Sequence, residues 1–197
     1  MNQLKLLCLG DSLTEGYDIE PRHCWVTLLK EREGLDVTNA GISGDMTAGM
    51  LARLPLALDK KEYTHVFIMG GTNDVEFGLS PNHIISNIKA IMRQLRYMCI
   101  QYTIGIPIPF DCKSSTLTRF EYVSDGLVFS KRIDEYCDEL RSFLEGDEAD
   151  YIDLRDCFRD GTGQISSALF LEDGVHPNEK GHNLICRTVF NHFANME

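Results

Sequence analysis

The sequence predicts an α/β fold: a three-layer α/β/α sandwich around a five-stranded parallel sheet. Three observations carry this. Short apolar runs alternate with longer segments of helical period, the pattern of βαβ units. The apolar runs are nearly continuous, as expected of strands covered on both faces. Several end abruptly in Gly, Ser, Asn or Asp. That marks loops at the carboxyl ends of strands, where such folds hold ligands. Five strands fit the flavodoxin-like order 2-1-3-4-5, although order itself is not legible in a sequence.

Each element has its own signal. Residues 4–9 form the first strand, stopped at Gly10. The next residues, Asp11-Ser12-Leu13-Thr14-Glu15-Gly16, are turn and helix-start types, so Ser12 is presented at the strand's end. Residues 22–33 carry Trp25, Val26, Leu28 and Leu29 at helical spacing, and Gly34 is a stop signal. A short strand over 35–39 runs into the turn Ala40-Gly41-Ile42-Ser43-Gly44-Asp45. Asp45 or Thr47 caps the next helix, which carries Met50, Leu51 and Leu54, and Pro55 should bend or end it. Residues 64–69 are the most strand-like run, ending in Gly70-Gly71-Thr72-Asn73-Asp74. Ser80-Pro81 opens a long helix with Ile84, Ile85, Ile88, Ile91, Met92 and Leu95 on one stripe. A fourth strand covers 103–108. Residues 110–123 lack a period and read as a long mobile loop bordering the functional edge. A helix over 125–144, a strand over 151–154 and a helix over 178–193 complete the chain. No repeat, low-complexity tract or linker interrupts residues 1–197, which read as a single domain.

Composition narrows the function classes. The net charge of −11 repels phosphate backbones and anionic membrane surfaces, so nucleic-acid and polybasic membrane roles are disfavoured. The seven cysteines are scattered, odd in number and without a C-x-x-C pair. That suits reduced thiols in the cytoplasm better than a disulfide framework or a zinc site. The first apolar run is too short for a secretory core, and no run is long enough to span a membrane.

Three polar loops at one sheet edge hold the candidate chemistry. Attack on an acyl bond needs a nucleophile, a base, an orienting group and donors for the oxyanion. Ser12 is the candidate nucleophile. Among six histidines, five lie near helix ends or in strands and read as structural or surface residues: His23, His65, His83, His182 and His192. His176 differs. It lies three residues after Asp173 in Asp173-Gly174-Val175-His176-Pro177, ahead of the last helix. A carboxylate there can meet the imidazole and leave the other ring nitrogen free. An Asp-Gly turn before a helix-starting Pro is the plain alternative. Gly44 offers an unobstructed backbone N–H, and Asn73 an amide donor. Each is also an ordinary turn residue taken alone. Asp11, Asp45 and Asp74 read as loop-stabilising turn residues.

Gly10-Asp11-Ser12-Leu13, Gly44, Gly71-Thr72-Asn73-Asp74 and Asp173-Gly174-Val175-His176 occur in the order of four sequence blocks. Together they resemble the GDSL or SGNH hydrolase family, across positions 10 to 176. The resemblance implies a three-layer α/β fold and hydrolysis of esters or thioesters without a cofactor or metal. It implies Ser12 as nucleophile, His176 as base and Asp173 as its partner. It implies Ser12, Gly44 and Asn73 as oxyanion donors. A lipase or acylhydrolase of short-to-medium acyl esters is the leading reading, with thioesters and lysophospholipids within its range. An acetylesterase on carbohydrate, and a non-catalytic binding relative, are the alternatives. Fold and motif do not choose among these substrates. No long apolar surface flanks the motifs, so acyl chains of about eight carbons or fewer are expected.

Two other classes fit poorly. A dinucleotide-binding module needs G-x-G-x-x-G after the first strand, and residues 10–16 do not supply it. A metal phosphoesterase needs clustered ligands, and His176 and His182 are badly spaced for one metal. Activity should therefore survive a chelator. Esterase rates before and after EDTA check this; loss restored by a divalent ion would overturn the mechanism.

Overall fold

The computed structural model describes residues 4–59, 61–113 and 125–195. Five strands, β1 (Lys5–Gly10), β2 (Asp36–Gly41), β3 (His65–Met69), β4 (Gln101–Ile106) and β5 (Tyr151–Asp153), form one parallel sheet in the order β2-β1-β3-β4-β5. The flavodoxin-like order is therefore the observed one.

Alternation along β1 shows why the sheet is covered twice. Leu7 and Leu9 point to one face, Leu6 and Cys8 to the other, and all four are buried. The Leu7 face packs against α3 (Thr47–Leu58), α5 (Pro81–Tyr97) and α6 (Gly126–Gly146), through Met50, Leu54, Ile88, Ile91, Phe129 and Leu140. The Leu6 face packs against α2 (Trp25–Glu31) and α7 (Glu179–Ala194), through Trp25, Leu29, Ile185 and Val189. Two short helices, α1 (Ser12–Glu15) and α4 (Thr72–Glu76), begin directly after β1 and β3. They lie at the carboxyl edge, where the three polar loops were expected.

Two local expectations need correction. Helix α3 runs through Pro55 to Leu58. Proline costs a helix its bond to the carbonyl four residues back. Here Pro55 lies in the last turn and is exposed, so little pairing is lost beyond it. Nor does Asp45 or Thr47 cap α3: the cap position is Met46, which makes no side-chain capping bond. The first N–H, that of Thr47, instead donates to Asp74 Oδ2 at 2.9 Å, and the Thr47 hydroxyl donates to Asp74 Oδ1 at 2.6 Å. A carboxylate from another loop does the capping. Of the loop expected over 110–123, Phe110 and Asp111 are buried, and 114–123 lies outside the described residues.

At the opposite edge the sheet ties down its own histidines. The Thr103 hydroxyl donates to Asp150 and accepts from His65 Nε2 at 2.8 Å. His192 Nε2 pairs with Asp150 Oδ2 at 2.9 Å. Burial holds the His65 pKa down at about 4 from 6.5, the Asp150 charge only partly opposing it. The unfolded chain takes up this proton near pH 6.5 and the folded chain near 4. Stability linked to His65 is thus present above pH 6.5 and lost as pH falls toward 4. The loss amounts to roughly 3 kcal/mol. Urea unfolding at pH 7.5 and 4.5 should show a smaller acid penalty in His65→Gln by about that amount. Equal pH dependence in the two proteins would refute it.

Candidate active site

Ser12 is set by what precedes it. Strand β1 ends at Gly10, and Asp11 caps α1, its Oδ1 accepting the Leu13 N–H at 2.9 Å. Ser12 is the first residue of that helix and 7% exposed. Below it, Trp25 Nε1 donates to the Leu13 carbonyl at 2.9 Å, so the turn rests on the α2 layer.

The loop before α7 brings Asp173 and His176. Its backbone is closed by the Leu171 N–H on the His176 carbonyl, 2.8 Å. Asp173 Oδ1 accepts the N–H groups of Val175 and His176, each at 2.9 Å. Asp173 Oδ2 meets His176 Nδ1 at 2.6 Å, and His176 Nε2 meets Ser12 Oγ at 2.9 Å. Burial alone would raise the Asp173 pKa. The bonds from the His176 ring and backbone outweigh it and hold the carboxyl below its usual range. An ionised Asp173 accepts only. Nδ1 therefore carries the proton, and Nε2 is the acceptor for the Ser12 hydroxyl.

Gly44 and Asn73 sit on the two neighbouring loops. Residues 42–45 form a turn closed by the Asp45 N–H on the Ile42 carbonyl, 3.1 Å. Gly44 takes the third position at φ 78°, which only glycine adopts freely. Asn73 lies in the first turn of α4, and its Nδ2 donates to the Asp45 carbonyl at 2.8 Å. An amide has two N–H groups; one is committed to the Gly44 loop.

Three residues that sequence reasoning did not single out complete the edge. The Tyr17 ring lies against the His176 ring, centroids 4.4 Å apart and planes tilted by 34°. Arg53, on α3, donates to Asp45 Oδ2, the Ala40 carbonyl and the Gly10 carbonyl at 2.7, 2.8 and 2.9 Å. Glu15 accepts the Ser43 N–H at 2.6 Å. No local sequence signal marked Arg53, Tyr17 or Glu15. Of the three aspartates read as turn residues, Asp11 does cap its own turn. Asp45 and Asp74 act between loops instead, on Arg53 and Thr47.

A parallel sheet with helices on both faces, and these loops at its carboxyl edge, define the class: a three-layer α/β protein of the SGNH hydrolase fold. The chain belongs to the GDSL-like lipase/acylhydrolase family, whose model matches residues 8–184. An arylesterase from Vibrio mimicus is 41% identical over 97 residues, 47% of this chain and 48% of that protein. Esterase TesA from Pseudomonas aeruginosa is 38% identical over 96 residues, 46% of this chain and 48% of that protein. The chain thus spans about half the length of the curated relatives it matches. Among solved structures, the psychrotrophic esterase EstA from Pseudoalteromonas sp. is similar with a TM-score of 0.71 and 26% identity, covering 98% of this chain and 97% of that one. A carbohydrate acetylesterase family member from Sinorhizobium meliloti has a TM-score of 0.80 at 18% identity, covering 98% and 99%. That likeness shows the fold alone.

Beneath Ser12 lies an unusual acid. Asp11 is fully buried, and its Oδ2 has no hydrogen-bond partner among the described residues. Burial raises its pKa from 3.8 to about 7; the Asp74 charge adds to this, while the Leu13 N–H and His176 oppose it. The folded chain thus holds a proton on Asp11 between pH 3.8 and 7 that the unfolded chain has released. The stability it brings is full below pH 3.8 and is lost as pH rises to 7. Asp11→Asn keeps the Leu13 acceptor and removes the titration. Its stability relative to the parent should climb by roughly 3–4 kcal/mol between pH 4 and 7.5. Paired denaturation curves measure this, and a flat difference would show that Asp11 ionises as an ordinary carboxylate.

Proposed function

We propose that this chain is a serine hydrolase of carboxylic esters. The observation that carries the reading is the continuous line from Ser12 Oγ through His176 to Asp173, with spacings of 2.9 and 2.6 Å. Those are hydrogen-bond distances, the reach a general base needs. His176 Nε2 takes the Ser12 proton as Oγ attacks the ester carbonyl. Charge builds on the carbonyl oxygen, which the Ser12 and Gly44 N–H groups and the Asn73 amide receive. Collapse breaks the bond to the alcohol oxygen, which leaves with the proton from His176. Water, deprotonated in turn by His176, then releases the acid from Ser12. Asp173 fixes the tautomer and steadies the imidazolium that forms.

A small chamber supports the short end of the short-to-medium acyl range. It is lined by Leu13, Thr72, Ile108, Phe110, Phe129 and Val175, and its volume is about 10 Å³. That is room for one water-sized group. Leu13, Thr72 and Val175, which line it, adjoin Ser12, Asn73 and His176 in sequence. Acetyl esters, including those of carbohydrate, fit this best; thioesters and lysophospholipids share the chemistry. Among the described residues no helix is long and apolar enough to cross a membrane. All seven cysteines are free thiols, which supports a reducing, cytoplasmic setting.

The test uses a p-nitrophenyl ester. Ser12→Ala should abolish turnover; full turnover would favour a binding relative with adventitious activity elsewhere. Asn73→Ala should lower kcat by roughly 10²–10³ with KM little changed and the pH profile intact. Asp173→Asn should lower the rate and also change the pH profile, because it disturbs His176 itself. A folded Asn73→Ala protein with parental kcat would remove Asn73 from the oxyanion hole.

A further inference from the structure

Helix α4 carries a second polar side chain on its Asn73 face. Thr72, Asp74 and Val75 are the buried residues of this helix, and Asn73 and Glu76 form its partly exposed side. Residues three apart on a helix are neighbours on one face. Glu76 therefore stands beside the Asn73 amide, one turn further along. Burial raises its pKa above 4.5, and the charge of His176 opposes this. The carboxylate thus lies within electrostatic reach of the His176 ring.

Other carboxylates at this edge are committed: Asp45 to Arg53, Asp74 to Thr47, Glu15 to Ser43 and Asp173 to His176. Among the described residues Glu76 makes no side-chain hydrogen bond and no ion pair. A half-buried carboxylate without a partner costs free energy. A cation brought beside it offsets that cost and favours its charged form.

The reaction fixes where a substrate would carry such a cation. His176 Nε2 hands its proton to the leaving oxygen, so atoms a few bonds from that oxygen come near the carboxylate within reach of His176. The acyl chamber, with Leu13, Ile108, Phe110 and Phe129 among its walls, holds about 10 Å³ and has no place for a charge. The charge therefore belongs on the alcohol. We propose that Glu76 is a specificity-determining residue for esters of cationic alcohols, its carboxylate receiving the ammonium group. The proposal rests on Ser12 and His176 acting as nucleophile and acid–base. As the C–O bond breaks, the alcohol oxygen takes the His176 proton. The ammonium keeps its charge throughout, and the acyl group stays on Ser12 until water removes it.

Acetylcholine and 3,3-dimethylbutyl acetate have the same shape and differ by one charge. The parent chain should favour acetylcholine in kcat/KM at least about tenfold. In Glu76→Gln that ratio should fall at least about fivefold, acetylcholine losing more than the neutral ester. Glu76→Lys should lower it further. Melting curves establish folding; if Glu76→Gln fails to fold, Glu76→Ala decides. A parent chain that hydrolyses phenyl acetate without preferring acetylcholine to its neutral counterpart overturns the proposal. So does a ratio that does not move in the folded variants, since the net charge of −11 would then be what draws the cation. An equal fall for both esters overturns it too, because Glu76 would then act through His176 and not on the substrate. If the parent chain turns over neither these esters nor phenyl acetate, the hydrolase reading itself fails, a distinct result.

Discussion

The guanidinium of Arg53 is the clamp on which the carboxyl edge depends. It accepts nothing and donates to three partners: the Gly10 carbonyl at the end of β1, the Ala40 carbonyl in β2 and the Asp45 carboxylate. Strand ends in a parallel sheet carry carbonyls with no next residue in the ladder. Buried without partners, they would cost free energy. Arg53 adds a donor to both carbonyls, sharing that of Gly10 with the Ile42 N–H, and fixes the loop that holds Gly44. Its planar fork reaches all three at once, which a lysine could not do. From Asp45 the network continues through its carbonyl to Asn73, and from Asp74 to Thr47. Loops after three different strands are thus tied together by hydrogen bonds.

His176 is held by a separate and more local device. Asp173 serves its own loop with one oxygen and His176 with the other. The same carboxylate shapes the backbone and chooses the tautomer, so ring and loop share one anchor. The Tyr17 ring packs on the imidazole at a tilt. The two devices meet only at Ser12, whose helix is capped by Asp11 and backed by Trp25.

Buried titratable groups set opposing pH trends. His65 and His182 are held neutral by burial, so acid works against the fold. Asp11 is pushed toward its neutral form, so acid works in the fold's favour. The windows overlap between pH 4 and 6.5, and the opposed slopes partly offset each other. A protein of net charge −11 gains from this, since protonating Asp11 also removes one buried negative charge beside Asp74.

Much of this was legible in the chain because it is local. Period and punctuation place all five strands and the long helices, since a strand covered on both faces must be apolar throughout. Asp173 and His176 lie three residues apart in one turn, so their contact needed no fold to be foreseen. The positive φ of Gly44 is likewise a property of its own turn. What only tertiary structure decided spans long separations. Ser12 and His176 are 164 positions apart, and only the β1 end and the loop before α7 meeting at one edge joins them. Thr47 takes its capping partner from Asp74, so the sequence at Asp45 and Thr47 pointed to the wrong bond. Pro55 is tolerated because it falls in an exposed last turn, a fact of burial. Arg53 and Tyr17 looked like ordinary surface residues, because a side chain's partners follow from which loops the sheet order brings together, and no local pattern records that.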